Sequence, residues 1–243
     1  MKRFLAVQHT FAEFFGALEA QWEARNIGFR YVRPVSGEDV AGTPSQFDAL
    51  WLLGAAWPPA DRAHCPWVED ELRLVRAFLK AKRPVVGLGE GAQVLAAAHG
   101  ALLHSEPRDD AYFTRARALC DDPLARAVDG RLVLVMQNGR AELAPGLEPL
   151  VAAENGRPIA FRAGTLAYGI AFRPELKPGM LEDMVMEEER PLPDDIGALI
   201  ERARELWPEM QQTTGRVAAA LVEALGLMDE RAKAPVIPIV ERR

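Results

Sequence analysis

The sequence predicts an α/β fold in which a mostly parallel central sheet is flanked by helices, with further helices at the C-terminus. Three observations carry this expectation. Short apolar runs alternate with helical periodicity through the first hundred residues. The runs are apolar throughout, without the in-out alternation of a half-exposed strand, as a parallel sheet covered on both faces requires. One of them, Pro84-Val85-Val86-Gly87-Leu88, passes through a glycine-spaced turn at Gly89-Glu90-Gly91 and straight into a helix.

Taken in order, Phe4 to Val7 reads as the first strand. Phe11 to Arg25 reads as a helix presenting Phe14, Phe15, Leu18 and Trp22 on one side. Phe29 to Val32 and Asp48 to Leu53 follow as strands, the latter buried on both faces. Val68, Leu72, Val75 and Leu79 recur at helical spacing and predict a helix over Trp67 to Lys82, which Pro84 ends. Gln93 to His99 begins the helix after the glycine turn. Strand–helix alternation of this kind implies right-handed crossovers, with the functional crevice at the carboxyl ends of the strands.

The second half is richer in strands. Ala101 to Leu103, Ala111 to Ala118, Leu132 to Val135, Leu150 to Ala153, Pro158 to Arg162 and Leu166 to Phe172 are separated by Gly, Pro and Asp turns, and hairpins are expected to extend the sheet. Amphipathic periodicity returns at Asp194 to Trp207 and at Thr213 to Leu225, with Pro193-Asp194-Asp195 as the cap of the first. The tail from Ala234 to Val240 carries two prolines and enough apolar side chains to seek a surface, on its own domain or on a second subunit. Without an internal repeat or a low-complexity linker, residues 1–243 are assigned to one domain, with a helical extension at about 194–227 and an apolar tail at 234–243.

Composition narrows the functional classes. At 49% hydrophobic and 26% charged, the chain can bury one substantial core. A net charge of -6 with scattered basic residues argues against nucleic acid or an anionic membrane as partner. No apolar run reaches the length of a membrane span, so the expected location is the cytoplasm. Cys65 and Cys120 lie too far apart for metal-ligand spacing and are read as structural thiols; neither a metal nor a cofactor is expected. Trp51, Trp57 and Trp67 surround the Gly54 loop and are read as packing residues. Glu187-Glu188-Glu189 reads as a solvated loop.

The glycine turn has the frame of a nucleophile elbow. In such an elbow a Ser or Cys stands at the apex of a strained strand-to-helix turn, between small neighbours that let the backbone fold back. Here the apex is Gly89, which has no side chain to attack with. The next residue, Glu90, would supply the backbone N–H of an oxyanion hole in an active relative and is the residue here with chemistry of its own.

Four segments in the same order resemble the class I glutamine amidotransferase family, of the stand-alone GMP-synthase-type glutaminase kind. Gly87 to Gln93 aligns without a gap on the family's P-V-L-G-I-C-L-G-x-Q strand and turn. Phe47 to Ala56 looks like its second oxyanion strand and loop, Cys65 to Glu71 like its P-W-x-x-x-E segment, and Tyr168 to Glu175 like Y-G-x-Q-F-H-P-E. The resemblance runs from about the N-terminus to residue 180 and implies a flavodoxin-like α/β fold. It also implies a Cys-His-Glu triad, whose positions here hold Gly89, Arg173 and Glu175.

Two of the three triad groups are therefore replaced. Arginine stays protonated and cannot take a thiol proton. None of the four histidines, His9, His64, His99 and His104, lies beyond the elbow helix and the residues just after it. The expectation is a non-catalytic amidotransferase-like subunit that does not hydrolyse glutamine, with Arg173 held by Glu90 or Glu175. Gly54, Ala55, Glu90, Gln93 and Arg173 are its candidate ligand-binding residues. Candidate partners are a small molecule, a synthetase-type protein, or a second copy joined through the C-terminal helices and tail. The alternatives are carboxylate-based chemistry at Glu90, Arg173 and Glu175, and an amidotransferase whose nucleophile is lent by another chain.

Overall fold

The computed structural model describes residues 1–105, 110–187 and 195–229. Its centre is an eight-stranded sheet. The first strands are β1 (Lys2–Val7), β2 (Ile27–Val32), β3 (Ala49–Leu52) and β4 (Val85–Leu88). Two short strands, β5 (Leu102–His104) and β6 (Asp110–Arg115), stand outside the sheet, and β7 (Arg117–Ala118) forms its edge. Then come β8 (Leu132–Gln137), β9 (Arg140–Glu142), β10 (Leu147–Ala152), β11 (Pro158–Ala163) and β12 (Ala167–Ile170). The order across the sheet is β2-β1-β3-β4-β12-β11-β10-β7. The first five strands run parallel and the last three antiparallel.

Among the described residues six α-helices accompany the strands: α1 (Ala17–Glu23), α2 (Val68–Lys80), α3 (Glu90–Ala98), α4 (Pro123–Val128), α5 (Pro178–Glu187) and α6 (Ile196–Ala224). Alternation along β1 sends Phe4 and Ala6 into a core with α1, α4 and α6, and Leu5 and Val7 into a second core with α2 and α3. In the first core the rings of Phe4, Phe15, Trp22 and Trp51 meet at centroid distances between 5.2 and 6.2 Å. The edge-to-face pairs among them, Phe4–Trp22, Phe15–Trp22 and Phe15–Trp51, each contribute about 0.5–1.5 kcal/mol beyond the area they bury. Trp51 is thus a core residue, as expected, while Trp57 stacks on His64.

Several expectations are corrected. The helix predicted over Phe11 to Arg25 is confined to Ala17–Glu23, and residues 11–16 form a turn that carries Glu13 inward. The two C-terminal helices are one 29-residue helix with Pro208 inside it. Proline there forgoes one i→i−4 hydrogen bond, and burial of Ala203, Met210 and Val217 along one continuous stripe holds the helix together across it. The run Ala111 to Ala118 is split: β6 pairs with β8 in a separate ribbon and β7 alone joins the main sheet. Likewise β5 and β9 form their own two-stranded ribbon, so hairpins extend the sheet only through β10 and β11. Helices α4 and α5 were not anticipated. Asp122 caps α4, its side chain accepting from the Leu124 N–H just ahead of a proline at the first turn, a signal present in the sequence. The proposed cap at Pro193-Asp194, Glu188 and Glu189, and the apolar tail lie outside the described residues. Among the described residues no helix is long and apolar enough to cross a membrane.

Candidate functional site

Register brings four segments to one end of the sheet. Val7 pairs with Leu52, Leu52 with Gly87, and Leu88 with Ile170. The residues immediately beyond, His9, Gly54, Gly89 and Arg173, therefore converge at the carboxyl ends of neighbouring parallel strands.

Gly89 precedes α3 with φ 55° and ψ −122°, a conformation that costs an L-residue about 1–3 kcal/mol. A Cβ there would stand 3.1 Å from Cζ, Nε and Nη1 of Arg173. The space in front of the apex is filled by the guanidinium. Arg173 is buried, and its Nε donates to Glu175 Oε1 at 2.6 Å. Nη1 reaches Glu13 Oε1 and the Met136 carbonyl, both at 3.4 Å, and lies 3.8 Å from Glu90 Oε2. Gly54 permits this packing, because a Cβ on it would fall 2.1 Å from Glu13 Oε2 and 2.4 Å from Arg173 Nη2.

Glu90 turns its carboxylate back onto the surrounding loops. Its Oε2 accepts the Ala55 N–H at 3.0 Å and its Oε1 the Asn138 N–H at 2.5 Å. The Gln137 side chain donates to the Gly89 carbonyl at 3.0 Å, and Asn138 Nδ2 donates to the carbonyls of Ala55 and Ala56. Gln93 donates from Nε2 to the Asn138 carbonyl at 2.6 Å. Of the five candidate ligand-binding residues, Gly54, Ala55, Glu90 and Arg173 are thus engaged with one another's surroundings, and Gln93 also lines a neighbouring cleft.

No protein-family model matches the sequence, and no curated protein matches it. Solved structures do match in three dimensions. A glutamine amidotransferase from Thermotoga maritima superposes with a TM-score of 0.77 at 20% identity, over 92% of this chain and 98% of its own. A glutamine amidotransferase from Methylobacillus flagellatus gives 0.79 at 17% identity, over 93% and 96%. A GMP synthase subunit from Thermoplasma acidophilum gives 0.55 at 16% identity, over 86% and 98%. The fold is that of the class I glutamine amidotransferases.

Within this amidotransferase fold the sequence reading missed two groups. Glu13 is buried 160 residues away in sequence from the arginine it faces. Its one sequence signal is a carboxylate placed inside the apolar run Phe11-Ala12-Glu13-Phe14-Phe15, since a charge there must find a partner on burial. The other is His9, expected to stand away from the chemistry, which lies in the floor of the site. Its Nε2 is 2.7 Å from Glu71 Oε1, its Nδ1 is 3.0 Å from the Gly54 carbonyl, and Trp67 stacks against its ring. The expected structural role of Cys65 fits its environment: it is buried and burial pushes its thiol up to about 12.

Charge is unbalanced in this site. Burial raises the Glu13 carboxyl to about 7; Arg173 opposes the rise, and Glu90 and Glu175 reinforce it. Burial likewise raises Glu90, against the pull of Arg173 and of its two backbone N–H donors. Burial works to lower both Arg173 and His9. The three surrounding carboxylates more than offset it at Arg173, and chiefly Glu71 does so at His9, so both are raised.

These shifts fix a pH dependence. A carboxyl whose pKa is higher folded than unfolded stabilises below its ordinary value, and loses that contribution as pH rises through the folded value. For Glu13 the window runs from 4.5 to about 7. A raised histidine has the same sign, its contribution being present below 6.5 and lost above. The thermal midpoint is therefore expected to fall between pH 5 and pH 8, by an amount corresponding to roughly 2–3 kcal/mol, and Glu13→Gln should flatten the slope. A midpoint that climbs across this window, followed by circular dichroism, would contradict the assignment.

Proposed function

We propose that this chain is a catalytically degenerate class I amidotransferase-like protein, a non-catalytic binding or regulatory subunit that does not hydrolyse glutamine. The observation that carries the reading is the Arg173 guanidinium packed against the Cα of Gly89, where a nucleophile's side chain and its base would have to meet. Three further points support it. The Ala55 N–H, a donor that an oxyanion would need, is taken by the Glu90 carboxylate. Both ring nitrogens of His9 are engaged, Nδ1 with the Gly54 carbonyl and Nε2 with the Glu71 carboxylate, so the ring is committed to partners other than a group at position 89. Glu90, the centre of the carboxylate-based alternative, already spends both oxygens on backbone donors.

A binding role gains support from the Thermoplasma neighbour, which is described as one subunit of a synthase. On this reading the protein works in the cytoplasm beside a synthetase-type partner or a second copy of itself. The expected result is that the purified chain releases ammonia from glutamine at the rate of a blank, by coupled assay, with and without candidate partner proteins. Release above the blank that survives Glu90→Gln would overturn the proposal in favour of a borrowed nucleophile. Release lost in Glu90→Gln would establish the carboxylate mechanism instead.

A further inference from the structure

The two edges of the main sheet are finished differently. At one, β7 is two residues long and its Ala118 N–H is capped by the Asp129 carboxylate. The other edge is β2, six residues long. The Val32 carbonyl accepts the Gln8 N–H from the β1 side, so by strand alternation the N–H and C=O groups of Phe29 and Tyr31 point away from the sheet. Among the described residues no backbone group pairs with them. Exposed edges are normally guarded by charge, proline or a bulge. Along β2 only Arg30 is exposed, Phe29 and Tyr31 are half-buried, and the register to β1 runs without a bulge.

The chain itself supplies a segment that fits this edge. Its last described residue is Asp229, whose carbonyl accepts a hydrogen bond from Lys2 Nζ. Lys2 pairs with Ile27, so this corner is where β2 begins. Met1, whose methyl lies over Gly28, and Met228 add exposed apolar surface there. A strand beyond β2 would lie two strand spacings, about 10 Å, from the Lys2 backbone, and residues 230–233 can span up to about 13 Å. Residues 234–240, when extended, would cover about 23 Å, against about 20 Å for β2. Pro235 and Pro238 differ in parity along such a strand. One would face β2 and forgo a single bond; the other would turn its missing N–H outward and block any further strand.

We propose that residues 234–240 dock along β2 as a parallel ninth strand and close this edge of the sheet. A second copy of the chain, or a foreign extended peptide, then reaches β2 only by displacing the tail. Amide hydrogen exchange of the full chain, followed by NMR, tests this. The Phe29 and Tyr31 amides are expected to exchange at least about a hundredfold more slowly than unbonded amides, at a rate independent of protein concentration, and to show nuclear Overhauser contacts to residues 234–240. Val236→Asp combined with Ile237→Asp places a charge on each face of the segment. It should return both amides to rapid exchange and leave the Leu50 N–H, bonded to the Pro84 carbonyl inside the sheet, protected. Rapid exchange in the parent protein, protection that survives the double variant, or protection that appears only as a dimer forms by light scattering overturns the proposal. If loss of Leu50 protection shows that the double variant misfolds, the Overhauser contacts in the parent decide. Contacts to 234–240 support the docked strand, and slow exchange without them overturns it.

Discussion

Arg173→Leu is expected to destabilise the fold by about 3–5 kcal/mol at pH 8, the range found when one partner of a buried ion pair is removed. The leucine fills much of the volume but leaves Glu13, Glu90 and Glu175 facing one another without a cation. Glu13 and Glu90, whose carboxyls burial already raises, escape by taking up protons, so the loss should shrink as pH falls toward 5. Adding Glu13→Gln to Arg173→Leu should recover part of the stability at pH 8, because it removes one of the stranded charges. Thermal melts of the single and double variants at both pH values check this. An exposed arginine, Arg216→Leu, serves as reference. A loss no larger than the reference, or one independent of pH, would mean that the guanidinium does not hold the carboxylates in place.

Gly91→Ala should be at least as damaging, for a steric reason. A Cβ on Gly91 would lie 2.1 Å from the carbonyl oxygen of Leu52, an atom of β3's own backbone that no rotamer change can move. Relief requires α3 to lift from the strands on which it rests, with a cost on the order of 3 kcal/mol or more. Gly197→Ala, in the first turn of α6 where nothing lies within 4 Å of the added methyl, should instead raise stability by about 0.4–1 kcal/mol. Melting temperatures of the pair measure the contrast. Equal behaviour of the two variants would show that α3 does not approach β3 as closely as described.

The features legible in the sequence are those set by local constraints. Close helix–strand approach demands glycine at 87 and 91, and that spacing announced the elbow. Arg173 and Glu175 lie two residues apart, so their pairing could be anticipated from the segment itself. Strand–helix alternation likewise revealed the parallel half of the sheet. Contacts made by topology stayed hidden. Glu13 meets Arg173 because parallel pairing of β1, β3, β4 and β12 aligns their ends, and because the turn before α1 folds inward instead of continuing the helix that its apolar spacing suggested. His9 pairs with Glu71, which as one of three acidic residues in the first turn of α2 reads as a favourable interaction with the helix dipole. Pro208 argued locally for a break in α6, and tertiary packing overrode it.

The arginine packed against the apex also bears on how such a chain could change. A cysteine placed at position 89 alone would meet the guanidinium at 3.1 Å, and a histidine placed at position 173 alone would face three carboxylates without the cation that holds them. Each single exchange thus gives a protein less stable than its parent, even before Glu90 is asked to leave the Ala55 N–H. The two positions are therefore locked to one another: neither can be exchanged alone without a loss of stability, and only a paired exchange escapes it.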